Sequence, residues 1–206
     1  MKILAVSDQA VEAVYSGCVA GRFDDVALVV SCGDLSYSYL EYIVTMLNVP
    51  CLYVHGNHDQ PEHRACGGVR KEPGGWVNLD GKTVEREGLL FAGLEGSIRY
   101  KPGATFQYTE RQMAWKAWRL TPALLMNRIH YGRYLDVLVT HSPPCGIHDG
   151  DDPAHRGFET FLALIERFKP RYLFHGHKHV YGPQQTCTRY GETDVVNVHP
   201  YRVLRY

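Results

Sequence analysis

Polar side chains able to bind a metal ion follow five short apolar segments of this sequence. Asp8 follows the first segment, Asp34 the second and His141 the fourth. The third and fifth segments are followed by Asn57-His58-Asp59 and by His177-Lys178-His179. Carboxylate, amide and imidazole ligands together suit Mn, Fe, Zn or Ni better than Ca²⁺ or an all-oxygen Mg²⁺ site. The residue types therefore predict a transition-metal centre.

Each of these residues has an ordinary structural explanation when it is considered alone. An Asp after a strand is commonly a helix N-cap, and Gly33-Asp34 is compatible with a simple turn. A single His is commonly a hydrogen-bonded structural residue. His177 and His179 are two positions apart, so both could face the same ion only if the loop that carries them is irregular. Five such coincidences, three of them preceded by a Gly that permits tight backbone, are better explained by convergence on one site.

Short apolar runs bounded by Gly, Asp or His predict the buried strands that position these residues. The predicted strands cover residues 3–6, 26–31, 51–54, 89–92, 135–140, 172–174, 195–198 and 201–204. Helical patterns cover residues 39–47, 109 to about 129, and 158–168. This alternation predicts an α/β fold with mostly parallel pairing, whose ligands bind beyond the carboxyl ends of the strands.

Local signals refine these elements. Thr109 is predicted to be the N-cap of the second helix, and Pro122 to break or kink it. The segment 60–86 is predicted to form loops and a β-hairpin that turns at Asp80-Gly81. Because no repeat or linker divides the sequence, we interpret residues 1–206 as a single domain.

Composition excludes several classes of protein. The 206 residues carry 22 Lys+Arg and 22 Asp+Glu, and 45% are hydrophobic, which excludes a disordered tail, a coiled coil and a collagen-like repeat. A net charge of zero argues against nucleic acid as the main partner. The eleven histidines are the unusual count, and metal ligation would explain some of them.

The six cysteines, at positions 18, 32, 51, 66, 145 and 187, include no C-x-x-C pair, so they indicate neither a zinc knuckle nor a redox motif. We interpret them as thiols in a reducing compartment. A signal-peptide pattern and a membrane-length apolar run are both missing. We therefore expect a cytoplasmic protein that engages no membrane.

The motifs Gly33-Asp34, Gly56-Asn57-His58-Asp59, His141 and Gly176-His177-Lys178-His179 occur in an order that resembles the calcineurin-like metallophosphoesterase superfamily. Its pattern is D-x-H, G-D-x-x-D, G-N-H-[D/E], H and G-H-x-H, and it spans nearly the whole chain. The resemblance implies a four-layer αββα sandwich with two mixed β-sheets flanked by helices. It also implies two divalent ions at the strand ends, with manganese as the first expectation.

The resemblance further assigns a role to each candidate residue. Asp34 would bridge the two ions, and Asp8 and His179 would belong to one of them. The other ion would be completed by three residues, Asn57, His141 and His177. A hydroxide between the ions would attack phosphorus, since two ions about 3.5–4 Å apart lower the pKa of a bound water. His58 would neutralise the transition state or protonate the leaving oxygen, and Asp59 would orient an imidazole.

Two positions depart from the superfamily pattern. Ala10 stands where the first motif has a His, and Tyr37 stands where the second has an Asp. The loss at Ala10 would weaken one metal site, leave a position for water, or recruit another ligand. Glu12 is one candidate, although a first-turn helix position would equally explain an acidic residue there.

Other polar residues have two open interpretations. His148 and His155, in the loop after His141, would face substrate or simply be solvated. Arg99 and Arg64 would bind phosphate or lie in solvated turns.

Together with the resemblance, the motifs predict metal-dependent hydrolysis of a small phosphorylated substrate, a diester more than a monoester. The alternative is a catalytically impaired scaffold that binds a protein partner, which a large exposed apolar patch away from the metal edge would favour.

Overall fold

The computed structural model describes residues 1–63, 67–183 and 185–206, and Arg64, Cys66 and the side chain of His63 lie outside the described residues. The strands of the described residues are β1 (Lys2–Val6), β2 (Val26–Ser31), β3 (Cys51–Tyr53), β4 (Glu62–His63), β5 (Val69–Arg70), β6 (Val77–Asn78), β7 (Thr83–Arg86), β8 (Leu89–Leu94), β9 (Ser97–Ile98), β10 (Gln107–Tyr108), β11 (Val137–Thr140), β12 (Tyr172–His175), β13 (Cys187–Tyr190), β14 (Thr193–Asn197) and β15 (Tyr201–Arg205). The helices are α1 (Val19–Arg22), α2 (Tyr37–Leu47), α3 (Glu110–Tyr131) and α4 (Glu159–Phe168).

Two large mixed sheets form the centre of the fold. The first has the strand order β15-β1-β2-β3-β6, in which only β15 pairs antiparallel. The second has the order β13-β14-β12-β11-β8-β7, with antiparallel strands at its two edges. Two short pairs, β4–β5 and β9–β10, lie outside both sheets. The prediction of mostly parallel pairing is confirmed.

The two sheets pack face to face and carry helices on their outer faces. Leu28 and Leu52 of the first sheet meet Phe91 and Phe174 of the second in a buried layer. Helix α2 covers the outside of the first sheet, and α3 and α4 cover the outside of the second. Central strands buried on both faces must be apolar throughout, which is why they occur as short continuous apolar runs. The predicted four-layer αββα sandwich is confirmed.

Helix α3 begins where the sequence predicts. Thr109 caps it through a reciprocal pair of bonds, with the Gln112 backbone N–H donating to Thr109 Oγ1 (3.3 Å) and the Thr109 N–H donating to Gln112 Oε1 (2.9 Å). Of the two outcomes expected at Pro122, the break does not occur, because α3 continues to Tyr131, and the kink stays a prediction. Burial of the inner face of α3 against the second sheet offsets the backbone bond that Pro122 cannot make. None of the helices among the described residues is both long and apolar enough to cross a membrane.

The hairpin predicted at Asp80-Gly81 is also wrong. Strand β6 before this turn pairs with β3 of the first sheet, whereas β7 after it pairs with β8 of the second. Leu79, fully buried between the sheets, anchors the crossing from one sheet to the other. Strands β7 and β8 form a hairpin that turns at Glu87-Gly88, where both residues have the positive φ of a type I′ turn (53° and 77°).

Candidate metal centre

The carboxyl ends of β1, β2 and β3 in the first sheet lie beside those of β11 and β12 in the second. Asp8, Asp34 and His177, which follow three of these strands, adopt left-handed backbone, with φ of 63°, 57° and 65°. Such backbone costs about 1–3 kcal/mol per non-Gly residue and clusters at functional sites. The fold therefore maintains strained turns at the positions from which the sequence predicts metal ligands.

Glycine is required where these turns come closest. A Cβ atom on Gly56 would lie 2.0 Å from Asp34 Oδ1, and one on Gly176 would lie 1.8 Å from Ser7 Oγ. Both distances are far below van der Waals contact. The two motif glycines thus allow the backbone of one strand end to approach the side chains of another.

Asp34, His141 and His177 form the core of the site, with ligand atoms that all lie within 4.8 Å of one another. His141 Nε2 is 3.4 Å from Asp34 Oδ2 and 3.0 Å from Asn57 Oδ1. The Asn57 amide N–H donates to the Tyr100 hydroxyl (3.1 Å), which orients the amide oxygen toward His141. One carboxylate, two imidazoles and one amide oxygen are therefore collected at one point.

Hydrogen bonds to backbone carbonyls orient both imidazoles of this core. His141 Nδ1 donates to the Cys32 carbonyl (2.7 Å), so its Nε2 is the nitrogen directed into the core, where it donates to Asn57 Oδ1 (3.0 Å) and would bind an ion once deprotonated. His177 Nε2 donates to the Ala154 carbonyl (2.6 Å), so its free lone pair is on Nδ1. Metal-binding histidines are commonly held in this way. Because these donors are the types that borderline transition metals prefer, the residues present fit a divalent ion.

The ionisable side chains of the core shift one another's pKa values. Burial lowers the pKa of His141, but the Asp34 carboxylate outweighs it and raises that pKa to about 9. Despite its burial, Asp34 has its pKa lowered to about 2, chiefly by His141. Burial and the nearby charge of His141 lower the pKa of His177 to about 3. The site thus favours one positive charge beside Asp34, supplied by either a proton or a cation.

Asp8 and His179 lie beside this core but are not part of it. The Asp8 side chain is 1% exposed and accepts from the His177 backbone N–H at 3.1 and 3.0 Å. His179 Nε2 is 3.8 Å from Asp8 Oδ1, and the His179 side chain is 47% exposed. A second ion would therefore have a more open set of ligands than the first.

The missing ligand at Ala10 is not replaced by Glu12. Ala10 is exposed, and Glu12 is an exposed residue of a turn instead of the first-turn helix residue that the sequence suggested. His199, for which the sequence predicted no role, is a buried residue whose ring stacks on that of His179 at 4.6 Å. Within the described structure, His199 Nε2 has no hydrogen-bond partner. His199 follows β14, so the strand-end pattern that indicated the other residues applies to it too.

His58 and Asp59 have different surroundings. Asp59 Oδ2 accepts from the backbone N–H of Gly56 (2.8 Å) and of Asp34 (3.3 Å), so in the described structure it fixes backbone instead of an imidazole. Burial and the charge of Asp34 raise the pKa of Asp59 to about 6. The exposed side chain of His58 lines two clefts of about 410 and 310 Å³.

The residues with open interpretations divide between the site and the scaffold. The His155 ring lies 5.2 Å from that of His177, so the loop after His141 reaches the core. His148 Nδ1 lies 3.0 Å from Nε2 of the buried His175, so the His148 ring contacts the scaffold. Arg99 donates to Gln112 Oε1 (2.9 Å) at the start of α3, which gives it a structural role.

Known proteins share sequence motifs or the fold with this chain. A family model described as calcineurin-like phosphoesterase matches residues 6–181. An uncharacterized protein of Haemophilus influenzae is 24% identical over 190 residues, which cover 84% of this chain and 80% of that protein. The solved structure of TT1561 of Thermus thermophilus has a TM-score of 0.60 at 16% identity, covering 96% of this chain and 88% of its own. GAP50, the anchor in the inner membrane complex of Plasmodium, has a TM-score of 0.56 at 11% identity, covering 96% and 70%. At these identities the solved structures show a shared fold.

Proposed function

The chain belongs to the calcineurin-like phosphoesterase family, and from this premise we propose that it hydrolyses a phosphoester with two divalent metal ions at the shared edge of its sheets. Manganese is the first candidate, and iron, zinc and nickel are the alternatives that suit the same ligands. The proposed ligands are Asp8, Asp34, Asn57, His141, His177 and His179.

The observation that carries this proposal is the convergence of Asp34, His141 and His177 within 4.8 Å. These side chains come from both sheets, and bonds to the Cys32 and Ala154 carbonyls hold the two imidazole rings in defined orientations. A buried group of this composition has no evident purpose in a scaffold, since it collects strained backbone and coupled charges at one point.

Asp8 and His179 support the proposed second ion. Burial raises the pKa of Asp8, and the negative charge of Asp34 raises it further, so the two carboxylates lie in one electrostatic neighbourhood. Two neighbouring carboxylates are stabilised by a cation between them. His179, 3.8 Å from Asp8, would complete this side of the site.

Bound divalent ions would lower the pKa of a water molecule and clamp the oxygens of an in-line displacement at phosphorus. The chain itself would supply His58 as hydrogen-bond donor to the phosphoryl oxygens or as acid to the leaving oxygen. The backbone N–H of His58 donates to Asp34 Oδ1 (2.8 Å), which keeps this residue beside the core. Its side chain is exposed to the clefts through which substrate would enter.

We propose a small substrate, and a phosphodiester in preference to a monoester. Clefts of about 410 and 310 Å³ are of the size that holds a small molecule. Tyr100 and Lys101 line the smaller cleft and would offer a hydroxyl and a cation to a phosphate. The balanced charge of the chain supports a small substrate over a polynucleotide.

The test combines metal analysis with turnover. Protein loaded with Mn²⁺ should contain up to two ions per chain and hydrolyse bis-p-nitrophenyl phosphate faster than p-nitrophenyl phosphate. His141→Asn should lose metal and activity, whereas His130→Asn, at an exposed position of α3, should retain both. If the metal-loaded protein hydrolyses neither of these substrates and no cyclic nucleotide, the proposal is contradicted.

The alternative of a protein-binding scaffold has one observation in its favour. Trp115, Trp118 and Ile129 are exposed on the outside of α3, which covers the second sheet. If the chain binds no metal and turns over no phosphoester, this surface becomes the candidate for its function.

A further inference from the structure

We propose that the outer face of α3 is the interface of a twofold dimer, in which α3 of a second copy packs antiparallel against it. The outer face of α3 is defined by Trp115, Trp118, Pro122, Leu125, Met126 and Ile129. This inference concerns assembly and does not depend on the proposed function.

The exposure of this face is unusual for a helix in water. Trp115, Trp118 and Ile129 are 56%, 68% and 75% exposed, and Leu125 and Met126 are 45% and 50% exposed. With Pro122 between Trp118 and Leu125, each of these residues lies three or four positions from another member of the set, so they share one side of the helix. The opposite side is already buried against the second sheet. The outer side therefore carries an apolar stripe, with the exposed Arg111 and Arg119 beside it. Exposed apolar patches of this kind commonly mark interaction surfaces.

The order of residues on this face is self-complementary. Trp115 and Ile129 lie equally far from Pro122 on either side, and so do Trp118 and Met126. An antiparallel copy whose twofold axis passes through Pro122 would therefore place each Trp opposite an aliphatic side chain. Pro122, small and without an N–H, would face its own copy and allow the helices to approach. Twofold interfaces require such pairing of one patch with itself.

Charges around this face permit the same register. Glu110 is the acidic residue of α3, and its carboxylate accepts from the Thr160 N–H (2.7 Å) within the same chain. The Arg119 guanidinium lies 4.7 Å from the Trp115 ring centroid, and the register would place Arg119 opposite Leu125 of the second copy. Two Arg residues therefore do not meet at the axis. Trp, Met and Arg are also residues that protein interfaces favour.

The apolar area is close to what a stable dimer needs. Aromatic side chains bury about 150–250 Å² each, so these exposed fractions correspond to roughly 600 Å² per chain, against about 800 Å² per partner in a standard interface. A groove of about 200 Å³ between α3 and α4, lined by Trp118, Thr121 and Phe168, adjoins the face. In the proposed register, Met126 of the second copy would lie next to this groove.

Sedimentation velocity on the full chain between about 1 and 100 µM tests the assembly. The wild-type protein should sediment with twice the 23.4 kDa chain mass. Trp118→Glu should raise the dimer dissociation constant at least ~30-fold, the effect of losing one hot-spot residue. Val203→Glu, which places a charge on an exposed apolar position of β15 away from α3, should leave the dimer unchanged.

A charge-pair experiment tests the register. Trp118→Glu and Met126→Lys should each dissociate the dimer, and the double variant should restore it, because each Glu would then face a Lys across the axis. Pro122→Cys should form an intermolecular disulfide between the two introduced thiols on mild oxidation. Peptide mapping by mass spectrometry distinguishes this bond from any that forms through the exposed Cys18 and Cys187. These measurements use exposed positions, so circular dichroism should show an unchanged fold.

Several results would overturn the proposal. A wild-type monomer at 100 µM, a dimer that Trp118→Glu leaves intact, or a dimer that Val203→Glu dissociates would each do so. A double variant that stays monomeric would overturn the register. A monomer that binds phosphatidylglycerol vesicles through Trp118 would equally overturn the proposal, in favour of a membrane surface.

Discussion

The backbone N–H of His177 donates to both carboxylate oxygens of Asp8, at 3.1 and 3.0 Å, across 169 residues of chain. This contact joins the end of β1 in the first sheet to the end of β12 in the second. It connects the first motif of the sequence to the last, and it fixes the Asp8 carboxylate beside the core of Asp34, His141 and His177. The glycine that precedes His177 makes this approach possible.

Gly176→Ala should therefore disrupt the centre. Its Cβ would lie 1.8 Å from Ser7 Oγ and 2.4 Å from Asp8 Oδ2, so the two sheet ends must separate. We expect a loss of about 1–3 kcal/mol in the free energy of unfolding, measured by urea denaturation, together with weaker Mn²⁺ binding in calorimetry. Gly21→Ala is the matched control, since a Cβ there meets nothing within 4 Å and should be neutral or stabilising. Equal unfolding midpoints for the two variants would refute this account.

His58→Ala should reduce turnover without releasing metal. Because His58 is exposed and is not among the proposed ligands, its loss should lower kcat by roughly 10²–10⁴-fold, the usual contribution of a general acid. Metal content by plasma mass spectrometry should equal that of the wild type. Gln60→Ala, which alters the same two clefts, serves as the control and should retain most of kcat. Parallel loss of metal and activity in His58→Ala would instead make His58 part of the metal site.

Ala10→His should tighten the weaker of the two proposed sites. The substitution restores the imidazole of the D-x-H motif next to Asp8, whose carboxylate is already buried and oriented. Calorimetric titration with Mn²⁺ should show a higher affinity for one ion, whereas Gln9→His should show no change. An unchanged titration of Ala10→His would mean that another group already completes the site. His199, whose ring stacks on that of His179 at 4.6 Å, is the candidate for that group.

Glu95 should make stability depend on pH. Burial raises its pKa, but bonds from His55 (3.1 Å), Tyr108 (2.6 Å) and Lys116 (3.1 Å) outweigh this and lower the pKa from 4.5 to about 2. A depressed carboxyl pKa stabilises the fold above pH 4.5, and this contribution is lost as the pH falls toward 2. It corresponds to on the order of 3 kcal/mol.

Urea unfolding at pH 6, 4 and 3 measures this dependence. Glu95→Gln should lower stability at pH 6 and flatten the profile between pH 4.5 and 2, since the variant has no carboxylate to protonate. Glu12→Gln, at an exposed turn, should leave the unfolding midpoint unchanged. A steep acid profile that persists in Glu95→Gln would place the effect in another carboxyl group.

Predictions from the sequence succeeded where the physical cause is local or periodic. The buried strands were recognisable because strands covered on both faces must be apolar throughout, and the cap at Thr109 because its partner Gln112 is three residues away. The hairpin at Asp80-Gly81 was wrong because a turn signal shows where the chain reverses but not which sheet receives the next strand. Burial of Leu79 between the sheets decided that outcome.

The sequence by itself determined the fold class, the order of the motifs and the residue types available for metal binding. Only the tertiary structure decided which of them meet: Asp34, His141 and His177 as a tight core, Asp8 and His179 beside it, and His199 as an unexpected neighbour. It also showed that α3 is apolar on two sides, one of them uncovered. The reason is that ligand distances and surface exposure depend on contacts between strands far apart in the chain, which no local pattern encodes.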